Sequence, residues 1–195
     1  MRICFVGDSF VNGTGDPECL GWAGRVCAVA RREGHDITYY NLGVRRETST
    51  DVRARWRREV SCRLPEGTDG RIVFSFGVND TTLENGTCRV EVSDSAENTR
   101  EILKAATQLF PVLMVGPPPV LDAEHNLRIA ALSKQFAVVC AELDVPYLDV
   151  FTPLRSSETW MHEAAANDGS HPGAAGYREL AHLVLRWLAW LSWFR

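Results

Sequence analysis

Short apolar runs that alternate with longer amphipathic segments constrain the fold of this chain more than any other feature. Five runs have the length and composition of buried strands, at residues 3–6, 37–42, 71–76, 112–115 and 145–150. The segments between them carry apolar residues at helical spacing, at residues 21–32, 48–63, 93–109 and 123–143. Strands separated by helices pair in parallel through crossover connections. We therefore predict an α/β fold with a five-stranded parallel sheet and helices on both of its faces.

Length and composition indicate a single domain that spans residues 1–195. The 195 residues, of which 45% are hydrophobic, suffice for one sizeable core, and no repeat or linker divides them. The net charge of -4 gives no support to general nucleic-acid binding. The longest apolar stretch lies near the C-terminus, and because Arg186 interrupts it, we expect no membrane span.

The cysteines and the N-terminus indicate the cellular compartment. None of the six cysteines forms a C-x-x-C pair, so neither a zinc site nor a redox motif is indicated. The first apolar run is too short for the core of a signal peptide and ends at a polar turn. We expect reduced thiols and a cytoplasmic protein.

The turn after the first strand carries a candidate nucleophile. Gly7 ends the apolar run, and Asp8 and Ser9 follow at once. Ligand sites in open parallel sheets lie at the carboxyl ends of the strands, which is where Ser9 is expected. Taken alone, Ser9 is better explained as a helix cap or a turn residue, and only the other polar blocks favour a nucleophile. Asp8 is compatible with a phosphatase or a metal site, but we expect it to support the loop through hydrogen bonds.

A hydroxyl needs a base to become a nucleophile, and the loop before the last helix offers one. His171 can take the proton of Ser9 and return it to a leaving group. Asp168 lies three residues earlier, where a turn at Gly169 would bring its carboxylate to one imidazole nitrogen. Because strand-to-helix loops share one edge of a parallel sheet, Ser9 and His171 have a topological reason to meet.

The same edge is expected to hold the donors that stabilise a developing oxyanion. Gly43 ends the second strand and has no side chain to block its backbone N–H. Asn79 follows the third strand and offers a side-chain amide, and Ser9 can supply its own N–H. One such donor is worth about 3–4 kcal/mol in the transition state.

Four short blocks of this sequence resemble those of the SGNH hydrolases, also called GDSL-type esterases and lipases. The blocks are Gly7-Asp8-Ser9, Asn41-Leu42-Gly43, Gly77-Val78-Asn79-Asp80 and Asp168-Gly169-Ser170-His171. The resemblance implies a flavodoxin-like three-layer α/β/α sandwich. It also implies Ser9 as nucleophile, His171 as base, Asp168 as orienting acid, and Ser9, Gly43 and Asn79 as oxyanion donors. Phe10 departs from the leucine of many members, and we expect no chemistry at that position.

Two further features each have two explanations. Arg45 and Arg46 follow Gly43, where they either solvate the loop, which we favour, or hold an anionic part of a substrate. The last helix is predicted to run from near Pro172 to the C-terminus, and its apolar stripe is wider than one core-facing side needs. We expect the excess to form a homodimer contact rather than a lipid-interface surface.

The functional hypothesis is a serine esterase that forms an acyl-enzyme on Ser9 and needs no metal or organic cofactor. Its partner is a small-molecule ester, and the absence of an obvious lid insertion favours short acyl groups. Activity should fall as His171 becomes protonated. Two competing hypotheses are a non-catalytic binding module on the same fold and an acyltransferase to a carbohydrate or other alcohol.

Overall fold

A five-stranded parallel sheet forms the centre of the computed structural model, which describes residues 1–195. The strands are β1 (Arg2–Gly7), β2 (Thr38–Gly43), β3 (Gly70–Ser75), the hairpin strands β4 (Leu83–Glu84) and β5 (Thr87–Cys88), β6 (Val112–Val115) and β7 (Tyr147–Leu148). The order across the main sheet is β2-β1-β3-β6-β7, and every neighbouring pair is parallel. β7 lies at an edge, as the proline in its predicted run indicated.

Helices cover both faces of the sheet. They are α1 (Ser9–Asn12), α2 (Gly21–Arg32), α3 (Ser49–Arg63), α4 (Val92–Thr107), α5 (Ala123–Glu142), α6 (Phe151–Arg155), α7 (Glu158–Ala166), α8 (Ala174–Leu185) and α9 (Leu188–Leu191), followed by a 3-10 turn at Ser192–Phe194. The predicted α/β/α architecture with a five-stranded parallel sheet is confirmed.

The alternation of side chains along the strands divides the core into two clusters. Ile3 and Phe5 of β1 enter a cluster of 24 buried residues that the helices α2 and α8 cover. Cys4 and Val6 enter the opposite cluster of 20 residues, which lies under α3, α4 and α5. Because β1 is buried on both faces, its run is continuously apolar, as expected for a central parallel strand.

Three local elements differ from the prediction. The residues after Ser9 form the one-turn helix α1, and the polar loop after β3 contains the hairpin of β4 and β5. Helix α3 begins at Ser49, one residue after the start of the predicted segment 48–63, because Thr48 is its N-cap and forms a capping box with Asp51.

The prediction of one unbroken C-terminal helix was wrong. The chain is extended at Trp187, with φ -77° and ψ 122°, and this break separates α8 from α9. It lets Trp190 fold back onto β1, where its ring centroid lies 6.2 Å from that of Phe5 and only 1% of the side chain is exposed. Trp193 and Phe194 pack on Trp190 in turn, so much of the apolar excess is buried within the chain itself.

None of the helices combines the length and the apolar character that crossing a membrane requires. Leu188 is the most exposed large hydrophobic residue of the tail, with 72% of its surface accessible. A homodimer contact through this segment stays a prediction.

Candidate active site

Three side chains from the two ends of the chain form a continuous line of hydrogen bonds. The Oγ atom of Ser9 lies 2.7 Å from Nε2 of His171. The other ring nitrogen, Nδ1, lies 2.7 Å from Oδ2 of Asp168. Ser9 and His171 are buried, whereas the Asp168 side chain is 42% exposed. The structure thus brings together the three residues to which the sequence assigned the nucleophile, the base and the orienting acid.

The turn that presents Ser9 is built by its neighbour Asp8. The Asp8 side chain is the N-cap of α1 and accepts a hydrogen bond of 3.0 Å from the Phe10 N–H. Burial raises the pKa of Asp8 to about 7, against that hydrogen bond and with help from the nearby charges of Asp80 and Glu47. Asp8 therefore supports the loop, as expected, and the carboxylate bonded to His171 is that of Asp168.

The Asp168–His171 loop is a tight turn folded around one carboxylate. Oδ1 of Asp168 accepts hydrogen bonds from the backbone N–H groups of Ser170 at 3.0 Å and His171 at 2.9 Å. Although partial burial opposes ionisation, these bonds and the ring of His171 hold the pKa of Asp168 below its usual range. Gly169 takes a φ of 81°, a left-handed conformation that favours glycine. The loop is also anchored by a 2.8 Å bond from Leu121 N–H to the Gly169 carbonyl.

Asn79 links the first and second strand-end loops. Its Nδ2 donates to the Glu47 carbonyl at 2.9 Å and lies 3.5 Å from Oδ2 of Asp8. The next residue, Asp80, is buried and accepts a 2.7 Å bond from the Ser49 N–H at the start of α3. Asn79 therefore lies beside the nucleophile turn, and Asp80 anchors the neighbouring loop.

The backbone N–H of Gly43 already has a partner. It donates to Oδ1 of Asn41 at 3.0 Å, while Nδ2 of Asn41 donates to the Val11 carbonyl at 2.9 Å. A Cβ atom on Gly43 would lie 2.2 Å from the backbone nitrogen of Asn12, so the absence of a side chain permits close packing against α1. Close packing alone explains why residue 43 is a glycine. Because its N–H already has an acceptor, the structure does not favour Gly43 as part of an oxyanion hole.

Near the nucleophile turn, the backbone N–H groups of Ser9 and Arg46 have no acceptor within the protein. Arg46 has a φ of 68°, which is uncommon for a residue with a side chain and costs of order 1–3 kcal/mol. Two hydrogen bonds hold this conformation. Arg89 donates to the Arg46 carbonyl at 2.8 Å, and Asn79 donates to the following carbonyl, that of Glu47. This donor was not predicted from the sequence, because what distinguishes Arg46 is its backbone φ angle, which no residue pattern reveals.

Arg55 of α3 was also missed, since no function was predicted for it from the sequence. Its guanidinium donates to the carbonyl groups of Gly7 at 3.0 Å and Leu42 at 2.9 Å, at the ends of β1 and β2. It also pairs with the carboxylate of Glu47 at 2.5 Å, and both side chains are mostly buried. Arg55 thus joins two strand ends to the loop that carries Arg46.

Arg45 and Arg46 both lie on the exposed rim of the site. The side chain of Arg46 is 79% exposed and lies 3.5 Å from the carboxylate of Glu84 in the hairpin. Arg45 is exposed and forms no ion pair. The rim therefore carries one unpaired guanidinium, and the prediction that an arginine here holds an anionic group stays a prediction.

The triad of Ser9, His171 and Asp168 lies outside the best-formed cavities of the structure. The five best-formed cavities have volumes from about 280 to 600 Å³, and neither Ser9 nor His171 lines any of them. A hydroxyl, an imidazole and a carboxylate in line can remove a proton from the hydroxyl and return it to a leaving group. The chemistry to which this arrangement is suited is attack of the serine oxygen on an accessible carbonyl carbon.

Comparison with protein families gives one match that covers most of the chain. Residues 5–179 match the model described as the GDSL-like Lipase/Acylhydrolase family. Among curated protein sequences, none matches this chain.

Several solved structures share the fold over nearly the whole chain. A lipase/acylhydrolase from Enterococcus faecalis has a TM-score of 0.78 at 24% identity, with 95% of this chain and 93% of that chain covered. An acetylxylan esterase from Geobacillus stearothermophilus has a TM-score of 0.78 at 18% identity, with coverages of 95% and 92%. A member of the lipolytic protein G-D-S-L family from Veillonella parvula has a TM-score of 0.75 at 17% identity, with coverages of 96% and 98%. These likenesses establish the fold.

Proposed function

Because this chain belongs to the GDSL-like lipase/acylhydrolase family, we propose that it is a serine esterase that cleaves carboxylic esters through an acyl-enzyme on Ser9. Family membership supports the general class of acylhydrolase. The line of hydrogen bonds from Ser9 through His171 to Asp168 is the observation that supports the mechanism.

The geometry fits a general-base mechanism. When Nδ1–H of His171 donates to Asp168, the lone pair on Nε2 points at the Ser9 hydroxyl 2.7 Å away. Ser9 then attacks the ester carbonyl as its proton passes to Nε2, and the imidazolium returns that proton to the departing alcohol. In the second half of the reaction, His171 deprotonates a water molecule that attacks the acyl-enzyme, and the imidazolium returns this proton to Oγ of Ser9 as the acid leaves.

The oxyanion of the tetrahedral intermediate needs fixed donors close to Ser9. We assign them to the free N–H groups of Ser9 and Arg46 together with the side-chain amide of Asn79. Asn79 supports this grouping because its amide lies between Asp8 and the Glu47 carbonyl, which places the 46–47 segment beside the nucleophile turn. Gly43, the donor predicted from the sequence, would have to break its 3.0 Å bond to Asn41, whereas Asn79 would give up only its 3.5 Å contact with Asp8.

Two variants of a structural neighbour are consistent with Ser9 as the nucleophile and His171 as the base. In the acetylxylan esterase from Geobacillus stearothermophilus, a serine-to-alanine variant and a histidine-to-alanine variant are each described as catalytic mutants. Ser9 and His171 are the pair of this kind that lies in hydrogen-bonding contact here.

We propose short acyl groups as the preferred substrates, because none of the five best-formed cavities adjoins Ser9 to receive a long chain. Hydrolysis of p-nitrophenyl esters from acetate to decanoate tests this preference. We expect kcat/KM to be highest for acetate or propionate and to fall along the series, with activity reduced by several orders of magnitude in Ser9→Ala and His171→Ala. Equal or rising rates on long chains would overturn the preference, and full activity of Ser9→Ala would overturn the mechanism.

A substrate with an anionic group is a second candidate, which the unpaired guanidinium of Arg45 favours. Neutral and carboxylate-bearing esters of the same acid, compared in Arg45→Ala and Arg46→Ala, separate the possibilities. A selective loss on the anionic ester supports it, whereas an unchanged ratio of the two rates excludes it.

Acyl transfer and simple binding are two functions that would use the same residues or the same fold. An acyltransferase would form the same acyl-enzyme but pass the acyl group to an alcohol, which product analysis with and without an acceptor sugar would reveal. A binding module would show no turnover at all. A cytoplasmic location and a homodimer stay predictions, and sedimentation at micromolar concentration tests the latter.

A further inference from the structure

Phe10, the residue that follows the proposed nucleophile, packs directly on the proposed base. The ring centroids of Phe10 and His171 lie 4.6 Å apart, with an angle of 35° between the planes. Phe10 is 2% exposed and belongs to α1, the same helical turn that carries Ser9. Helix α1 therefore carries both the hydroxyl of Ser9 and the aromatic ring that packs on the imidazole of His171.

Two hydrogen bonds alone do not fix the imidazole. Its contacts with Ser9 and Asp168 are made at its two nitrogens, and together they define an axis through the ring. The ring can still rock about that axis, which changes the direction of the Nε2 lone pair relative to the hydroxyl. A contact against the face of the ring limits this motion, and the ring of Phe10 provides one.

Phe10 also packs against a second aromatic residue, Trp160. The indole of Trp160 lies nearly parallel to the Phe10 ring, with centroids 6.3 Å apart and planes 18° apart. Trp160 is fully buried, and its Nε1–H donates to the Pro119 carbonyl at 3.0 Å. Phe10 therefore packs against both the imidazole of His171 and a buried indole that is itself fixed by a hydrogen bond.

We propose that Phe10 is a positioning residue for His171, setting the tilt of the imidazole and presenting a π face to the charge that this ring gains during catalysis. The proposal rests on the proposed function, in which His171 is the base. Aromatic faces attract cations, and the imidazolium exists only after the proton has left Ser9. The contact therefore stabilises the transition state more than the resting enzyme, and its loss should lower kcat without raising KM.

Phe10→Leu removes the ring while keeping an apolar side chain, and Phe10→Met is a second ring-free variant in case the first does not fold. On an activated aryl acetate we expect kcat to fall about 3- to 30-fold with KM unchanged. Phe5→Leu is the matched control, because Phe5 is a buried ring of the same core cluster that packs on Trp22, Tyr39 and Trp190 instead. Its kcat should stay within about twofold of the wild type, since surrounding packing can shift without moving the triad.

A double-mutant cycle shows whether Phe10 acts through His171. In the His171→Ala background, whose residual activity reflects binding and the oxyanion donors, Phe10→Leu should cause no further loss. The same fold loss in both backgrounds, or no loss in the wild-type background, overturns the proposal. Loss of activity in Phe10→Leu together with full activity of His171→Ala would overturn the proposed function as well.

The wild-type protein offers a test that does not depend on a variant's folding. Nuclear Overhauser contacts between ring protons of Phe10 and His171, and an upfield ring-current shift of the imidazole protons, are expected in solution. The absence of these signals would contradict the packing of Phe10 on His171 that the proposal requires.

Discussion

Nε2 of His171 lies 2.7 Å from Oγ of Ser9, although 162 positions separate the two residues in the chain. The contact exists because β1 delivers Ser9 to the carboxyl edge of the sheet and the loop before α8 reaches the same edge. The topology of a parallel sheet thus creates the pair on which the proposed chemistry depends.

Asp168→Asn should abolish most catalysis while the loop stays folded. An amide keeps an oxygen for the backbone N–H groups of Ser170 and His171, but its NH₂ group would face Nδ1 and impose the wrong tautomer. We expect kcat to fall about 10³- to 10⁴-fold with little change in melting temperature. Asp149→Asn is the control, since Asp149 pairs with Thr152 outside the triad. An active Asp168→Asn enzyme would show that His171 needs no orienting carboxylate.

Asp8 should make stability fall with rising pH. Its carboxyl group loses its proton near pH 4 in the unfolded chain, whereas burial raises its pKa in the folded protein to about 7. Between these values the folded state retains a proton that the unfolded state has released, so the free energy of unfolding decreases by up to about 1.4 kcal/mol per pH unit. Urea titrations from pH 4 to 8 should show wild-type stability falling relative to Asp8→Asn. A constant difference across this range would contradict the buried, protonated carboxyl group.

Arg46→Gly should stabilise the protein and preserve activity. Glycine adopts the φ of 68° without strain, and the exposed ion pair with Glu84 contributes little. We expect a gain of about 1 kcal/mol in the free energy of unfolding, with kcat on neutral esters unchanged because the N–H donor remains. Arg45→Gly, at a residue without a positive φ, should give no such gain. A tenfold loss of kcat in Arg46→Gly would mean that the side chain, not the backbone, acts in catalysis.

Arg55→Lys should loosen the active-site loop. A single ammonium group cannot reach the Gly7 and Leu42 carbonyls and the Glu47 carboxylate together, so buried acceptors lose their donors. We expect a loss of about 1–3 kcal/mol in unfolding free energy, accompanied by a lower kcat. Arg57→Lys, on an exposed side chain of the same helix, should change stability by less than about 0.5 kcal/mol. Equal effects of the two substitutions would contradict a bridging function for Arg55.

The features that depend on periodicity could be predicted from the sequence. The strands and long helices followed from the spacing of apolar residues, and the meeting of Ser9 with His171 followed from the topology of a parallel sheet. The hairpin of β4 and β5 was missed because strands of two residues show no periodicity. Its Asn85-Gly86 turn, with φ values of 52° and 84°, was the one local signal that could have indicated it.

The remaining differences arise from tertiary contacts. The break between α8 and α9 lies within a continuous apolar run, and burial of Trp190 against Phe5 explains why the chain turns there. The guanidinium of Arg55 folds back onto strand ends that only the assembled sheet brings within reach. The N–H of Gly43 is occupied because the side chain of Asn41, in β2, accepts from it and donates to the Val11 carbonyl of α1, a contact that no spacing reveals.

The most direct test of the account is the site of covalent labelling by a fluorophosphonate, mapped by mass spectrometry on the intact and digested protein. We predict one adduct, on the peptide that contains Ser9, absent in Ser9→Ala and formed far more slowly in His171→Ala. A folded wild-type protein that takes up no label, or carries it on another residue, would contradict the assignment of Ser9 as the nucleophile.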